Sequence, residues 1–333
     1  MTRLGVLDQS PIRDGGSAAQ ALAESVALAK ACDSFGYYRY WVAEHHNTAS
    51  FAGSAPEILI GKIAGETMRI RVGAGGVMLP HYSPLKVAEC FKMLEALYPG
   101  RIDLGLGRAP GTDPRTSAAL QPGPKAYPID VFPQQIELLQ QFLADNFPPE
   151  HPYQGIHAMP LIQTLPESWM LGSSVQGALY AAQFGLPYCH AHFITPEQSE
   201  ASVDAYRRNF KPSAGLAQPY AALGVNALAA DTAEAAQHIA KPRNLWVTQL
   251  LLGSRGRFIS PEQVDAHPFT LSEQGLYDSI RQRGITGTGA QCAERLNALG
   301  AHHGVDEFIL LTITHAHADR VRSYELIAAA FGI

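Results

Sequence analysis

The sequence predicts an α/β fold of the (β/α)₈ barrel type, and three observations carry that prediction. Strand-like and helix-like runs alternate four times in about the first 110 residues, a spacing that implies parallel strands with right-handed helical crossovers. The alternation continues to the end of the chain and reaches eight strands, whereas an open doubly wound sheet rarely needs eight strictly alternating units. The chain has 333 residues, 46% of them hydrophobic, which fits one large barrel or two average domains. With no internal repeat and no low-complexity segment, a single domain over 1–333 is expected.

The elements follow in order. Leu4–Asp8 is a short apolar run turned by Gln9-Ser10-Pro11. Ala18–Phe35 has apolar residues at helical spacing and stops at Gly36, suited to a left-handed cap. Tyr38–Glu44 is rich in aromatics and Val and reads as a buried strand. Pro56 opens a helix over Glu57–Glu66, Ile70–Leu79 is the third strand, and Pro84–Leu97 is a helix stopped by Pro99-Gly100. Ile102–Leu106 is strand four, and a Pro/Gly-rich loop, Pro110–Pro128, leads to a helix over Val131–Asp145.

Pro148–Pro166 holds five prolines and reads as an excursion. Trp169–Gly172 and Ser174–Phe184 form the fifth strand and helix, closed by Gly185. Pro187–Ala191, Pro196–Phe210, Tyr220–Ala229 and Thr232–Ile239 continue the alternation. Asn244–Ile285 breaks it and reads as a partly helical insertion. Ala290–Leu299, strand Glu307–Ile313 and helix Ala318–Phe331 close the chain. The barrel is therefore expected to carry insertions after strand four and between strands seven and eight.

Composition narrows the function. Net charge is −5 and the isoelectric point is near 6.2, with no Lys/Arg cluster, which argues against a nucleic-acid surface. Cys32, Cys90, Cys189 and Cys292 are widely spaced without a CxxC pair, as expected of small buried hydrophobes in a reducing compartment. No stretch approaches the roughly 20 apolar residues of a membrane span, so a soluble cytoplasmic protein is expected.

Chemistry-bearing residues fall at predicted carboxyl ends of strands, where barrel loops converge. Glu44-His45-His46 follows strand two; a single histidine is more often a satisfied core residue, but an adjacent pair beside a carboxylate shifts the reading toward function. Successive residues leaving a strand point in different directions, so only one histidine need face a pocket. Gly73-Ala74-Gly75-Gly76 inside strand three marks either close approach of a ligand to backbone or a bulge. Gly105–Gly111 has GxGxxxG spacing with Pro110, which does not suit a dinucleotide turn. Arg108 there suits phosphate, or else a surface ion pair. Gly172-Ser173-Ser174 at the next strand end offers amides, hydroxyls and a helix dipole to an anion, or simply caps the helix.

Arg108 and the serine pair on neighbouring strands together make a phosphate site. His190/His192 and His315/His317 are HxH pairs that raise a metal hydrolase as an alternative, but fitting carboxylates are not evident and the first strand carries Asp8-Gln9-Ser10. No metal site is assigned.

Five segments together resemble the bacterial luciferase-like flavin monooxygenase family, in its single-chain, non-luminescent branch. They are YWVAEHH (40–46), IRVGAGGVMLPHYSP (70–84), AECFKMLEALYPGRIDLGLGRAPG (88–111), LGSSVQGALYAAQFGLP (171–187) and GTGAQCAERL (287–296). The resemblance covers nearly the whole chain. It implies a TIM barrel that binds reduced FMN, often as a homodimer. His45 matches the family's catalytic histidine, Glu44 and His46 match flanking positions that line or support it, and Ala43 falls beside the cofactor.

Gly75 and Gly76 match a pair joined by a non-proline cis peptide under the flavin ring. Arg108, Ser173 and Ser174 match the flavin-phosphate positions. Two departures stand out: Gly107 occupies the place of the luciferase α subunit's reactive cysteine, and Ser173 that of a glutamate. The first excludes thiol chemistry there, and the second alters the phosphate contacts in detail.

The expected function follows. Reduced FMN from a separate flavin reductase, with O2, would oxygenate a small organic substrate through a flavin C4a-peroxide in a dry pocket, with His45 as base or hydrogen-bond partner. Asn244–Ile285 is the candidate lid. A coenzyme F420-dependent dehydrogenase and a non-catalytic flavin-binding protein are the alternatives. Neither a nucleic-acid nor a membrane partner is expected.

Overall fold

A computed structural model describes residues 2–109, 111–121, 131–254 and 256–333. Its framework is a closed parallel barrel. The elements run β1 (Arg3–Asp8), α1 (Ala18–Phe35), β2 (Arg39–Val42), α2 (Pro56–Glu66), β3 (Arg71–Met78), α3 (Pro84–Leu97) and β4 (Ile102–Gly107). They continue with α4 (Pro114–Leu120), α5 (Phe132–Ala144), β5 (Glu167–Gly172), α6 (Val175–Gln183), β6 (Tyr188–Ala191), α7 (Ser199–Asn209) and β7 (Ala221–Ala229). The last are α8 (Ala233–Leu251), α9 (Pro261–Asp265), α10 (Leu271–Arg283), β8 (Ile285–Gly287), α11 (Gly289–His303), β9 (Glu307–Leu311) and α12 (His317–Phe331).

Each barrel strand from β1 to β7 pairs in parallel with the next, β7 pairs with β9, and β9 returns to β1. The short β8 lies outside this ring, on the end of β7 through Ala227↔Ile285. The expected (β/α)₈ barrel is therefore present, with its eighth strand at β9.

Local chemistry explains most boundaries. Gly36 adopts φ 94° and caps α1, a left-handed conformation that side chains disfavour. Pro56 and Pro84 open α2 and α3, where a missing N–H costs nothing. Thr288 and Gln291 form a reciprocal capping box on α11.

Three expectations need correction. The helix expected to end at Ile239 runs on to Leu251 with Pro242 inside it. Proline removes one helical N–H, a cost that packing of the far half of α8 outweighs. The expected insertion therefore starts within α8, and the excursion between β7 and β9 comprises α9, α10 and β8. The loop after β4 contains α4, capped by the Asp113 side chain on the amides of Arg115 and Thr116. Pro110 and residues 122–128 of that loop lie outside the described residues.

Two cores hold the barrel. The larger packs the outer faces of the strands against the helices, with Val6, Tyr40, Val72, Leu104, Phe91 and Ile63 near its centre. The smaller fills the interior with Leu7, Trp41, Trp169, Cys189, Ala222 and Ile309. Trp41 and Trp169 meet edge to face at 5.3 Å between ring centroids. Cys32, Cys189 and Cys292 are buried thiols and Cys90 is partly exposed. Among the described residues, no helix is long and apolar enough to cross a membrane.

Below the tryptophans the barrel is closed by charge. Arg39 is 1% exposed; its Nη1 donates to Asp103 at 2.5 Å and its Nε to Glu307 at 2.5 Å. Arg71 Nε donates to the second Asp103 oxygen at 2.7 Å, Trp41 Nε1 donates to Asp103 at 2.8 Å, and the Tyr220 hydroxyl donates to Glu307. Burial opposes the charge on Arg39, but Asp103, Glu307 and Glu167 raise its pKa further above the ordinary arginine value.

Candidate active site

The opposite end, at the carboxyl ends of the strands, holds a cavity of about 480 Å³. Gln9 after β1, His45, His46 and Phe51 after β2, and His192 and Phe193 after β6 line it, together with Val225 and Asn226 on β7 and Leu311 and Ile313 at the end of β9. Arg243, Trp246, Val247, Leu250 and Leu251 form a further wall, at the i, i+3, i+4, i+7, i+8 spacing of one helical face. Ile280, Arg283 and Gly284, at the end of α10, complete that side. Both ends of the expected lid segment thus face the cavity.

Both histidines of Glu44-His45-His46 reach the cavity, where one was expected to suffice. They differ in their surroundings. The His45 ring lies 4.5 Å from that of Phe51, and its Nδ1 is buried without a hydrogen-bond partner. Burial, reinforced by neighbouring His46, pushes its pKa down to about 4, so the imidazole is neutral near pH 7. His46 instead shares its Nε2 with Glu44 Oε1 at 2.8 Å.

Glu44 is 1% exposed and sits behind the cavity wall. Its Oε1 also accepts from the Tyr82 hydroxyl at 2.6 Å, and its Oε2 accepts from the Met78 amide at 3.0 Å. The carboxylate therefore ties the end of β2 to the end of β3 and orients His46. Burial, with help from Glu44, raises the Tyr82 pKa and keeps the phenol a donor.

The remaining predicted residues do not line the cavity. Ala43 belongs to the rim of the interior core. The Gly75–Gly76 peptide is cis, and the β3–β4 register shifts between Ala74 and Val77, so the glycine run is also the bulge that its sequence allowed. A Cβ on Gly75 would lie 2.7 Å from Leu7 Cδ1, and one on Gly76 would lie 2.7 Å from the Gly105 carbonyl oxygen. Close approach from the barrel's own atoms therefore already demands glycine at both positions.

Arg108 follows the last residue of β4, and Ser173-Ser174 follow the last residue of β5, the adjacent strand. Arg108 makes no hydrogen bond or ion pair among the described residues. Ser174 caps α6, accepting from the Gly177 amide, and the Ser173 carbonyl accepts from Thr195 Oγ1 at 2.6 Å.

Of the HxH histidines, His190 and His192 are taken up otherwise, while His317 Nδ1 is buried without a hydrogen-bond partner among the described residues. His190 bonds the Tyr188 hydroxyl and the Thr195 carbonyl, and His192 bonds Ser199. Among the described residues no group of three or more His, Cys, Asp or Glu could hold a metal ion. Sequence reasoning missed Tyr82, Asn226, Arg243 and Trp246. The helical stripe that carries Arg243 and Trp246 straddles Asn244, where an insertion was expected to begin.

Comparison with known proteins assigns the family and agrees with the fold. A family model described as luciferase-like monooxygenase matches residues 2–328. An uncharacterised Bacillus subtilis (strain 168) protein, YwcH, is 46% identical over 335 residues, covering 99% of each chain. The N-acetyl-S-alkylcysteine monooxygenase of the same organism is 39% identical over 336 residues, covering 99% of this chain and 98% of its own. The crystal structure of apo-MsnO8 superposes with a TM-score of 0.90 at 36% identity, covering 100% of this chain and 99% of the other. The chain belongs to the luciferase-like monooxygenase family.

Proposed function

We propose, with that membership as premise, that the chain is the oxygenating half of a two-component system. It takes reduced FMN from a separate flavin reductase and places one atom of dioxygen on a small organic substrate, the other leaving as water. The observation that carries this reading is His45: a buried, neutral imidazole with an unpartnered Nδ1, set against Phe51 in a largely apolar cavity.

The residues present fit FMN. Arg108 has an uncommitted guanidinium and follows β4, the strand adjacent to β5, which leads into α6; Arg108 and the N-terminus of α6 would together cradle a phosphate dianion. Ser173 and Ser174 would add hydroxyls there, and the Gly75–Gly76 stretch would back the ring. Bound reduced flavin supplies the two electrons that activation of dioxygen requires.

The chain's own residues do the rest. Phe51, Trp246 and Leu311 exclude water from the cavity. His45 would accept or hold a proton through the part of its ring that lines the cavity, and its low pKa leaves the imidazole unprotonated near pH 7. Glu44, anchored by Tyr82 and Met78, holds His46 and the end of β2 in place.

The test is equilibrium titration of the purified protein with oxidised FMN, and with reduced FMN added anaerobically. Much tighter binding of the reduced form is expected of an enzyme fed by a reductase. Equally tight binding of both would indicate a flavoprotein that keeps its cofactor, and binding of neither would replace FMN with a deazaflavin.

A further inference from the structure

Three arginines are buried among the described residues: Arg39, Arg243 and Arg320. Arg39 is held by Asp103 and Glu307, and Arg320 donates to Asp8 at 2.8 Å. Arg243 is 8% exposed, yet its guanidinium makes no hydrogen bond and no ion pair among the described residues. Its donors thus meet no acceptor among the described residues, and what surface they keep is open to the cavity that Arg243 lines, an arrangement that favours an incoming acceptor. No carboxylate acts on the group; burial alone lowers its pKa, to about 10, and it remains charged near pH 7.

Arg243 lines the cavity, and so does Arg283, whose exposed guanidinium is likewise unpaired among the described residues. No aspartate or glutamate is among the lining residues. His45 and His192, which also line it, are held neutral by burial, their pKa values pushed down to about 4. Among the described lining residues the cavity therefore offers two guanidinium groups and no carboxylate. Between Arg243 and His45 the wall is aromatic: Phe51 stands 4.5 Å from His45 and 5.2 Å from Trp246, the latter one turn beyond Arg243 on α8.

We propose that Arg243 is the anchor for an oxyanion on the substrate, so that the substrate is a small apolar molecule ending in a carboxylate or sulfonate. Its anionic end would meet Arg243, with Arg283 supplying a second, wetter positive charge. Its apolar body would lie along Trp246 and Phe51 and present the reacting end toward His45. The inference rests on the proposed oxygenase reading for what is done to that end, but the recognition of the anion stands apart from it.

The experiment is calorimetric titration of the purified protein with hexanoate, hexanesulfonate, hexan-1-ol and hexylamine, with FMN titrated in parallel. The expected result is that at least one anion binds about tenfold tighter than the alcohol, and the amine no better than the alcohol. Whichever of hexanoate and hexanesulfonate binds tighter identifies the oxyanion. Arg243→Met should abolish the anion preference while leaving hexan-1-ol and FMN binding in place, and Arg243→Lys should keep part of it.

Anions binding no tighter than the alcohol in the unmodified protein would overturn the proposal, a result that needs no variant to fold. Survival of the preference in Arg243→Met would also overturn it, as would loss of FMN binding in that variant with the anions unaffected. Failure of FMN to bind the unmodified protein would instead sink the oxygenase reading and leave the anion preference standing.

Discussion

At the closed end of the barrel, Arg39 is surrounded by Asp103, Glu307 and Glu167; at the open end, Arg243 is buried with no partner. Both are arginines taken out of water, but their neighbours differ in kind. The closed end satisfies its donors from within the chain: Arg71, Trp41 and Tyr220 complete a network on the same carboxylates. The open end leaves His45 Nδ1, Arg108 and Arg243 waiting. A fully satisfied buried network holds a structure in one arrangement, whereas a buried cation without a partner costs free energy until an acceptor arrives. On the proposed reading, the contrast separates the part of the barrel that holds the fold from the part that binds.

That contrast can be broken by experiment. The largest effect is expected from Arg39→Met, which removes the guanidinium that two buried carboxylates share and leaves Asp103 only Arg71 and Trp41, and Glu307 only Tyr220. Breaking a buried ion pair from one side costs roughly 3–5 kcal/mol, to be read as the loss of unfolding free energy in urea. A loss below about 1 kcal/mol would show that the closed end is not what holds the barrel. His45→Ala should do the reverse. Product formation in the reductase-coupled assay should fall by at least roughly 100-fold, equivalent to about 2.7 kcal/mol of transition-state free energy, while the melting temperature and FMN affinity barely move. Unchanged product formation would remove His45 from the chemistry.

The smallest effect is on pH. His45 and His192 have pKa values near 4 in the folded protein against 6.5 for the free side chain, chiefly through burial, so the unfolded chain binds more protons between those values. Stability should be fully present above pH 6.5 and be lost as pH falls toward 4. The melting temperature measured across that window should drop, and His192→Gln should make the drop shallower. A curve that is flat from pH 7 to pH 4 would contradict the burial assigned to both rings.

Much of this was legible in the order of the residues. Alternating strand and helix patterns specified the barrel because short parallel strands can be joined only through crossovers on one side. Gly36, Pro56, Pro84 and Ser174 set helix ends because each solves a backbone problem within its own turn. YWVAEHH marked the mouth, because aromatics that fill a barrel and a polar cluster at its rim are neighbours in sequence. The glycine run of β3 was legible as an irregularity, and Asp103 and Gly105 of β4 show why it has to be glycine.

Other features were decided only by tertiary structure. Local rules stop a helix near Pro242, yet α8 continues to Leu251 because its far half is packed as a wall of the cavity. Glu44 resembles a catalytic acid in sequence; folding buries it behind the pocket, where Tyr82, from 38 residues away, fixes it as an acceptor. The difference between Arg39 and Arg243 is invisible in sequence for the same reason. Asp103 and Glu307 reach Arg39 across 64 and 268 residues of chain, and only the closing of the barrel decides which buried charge receives a partner and which is left for a ligand.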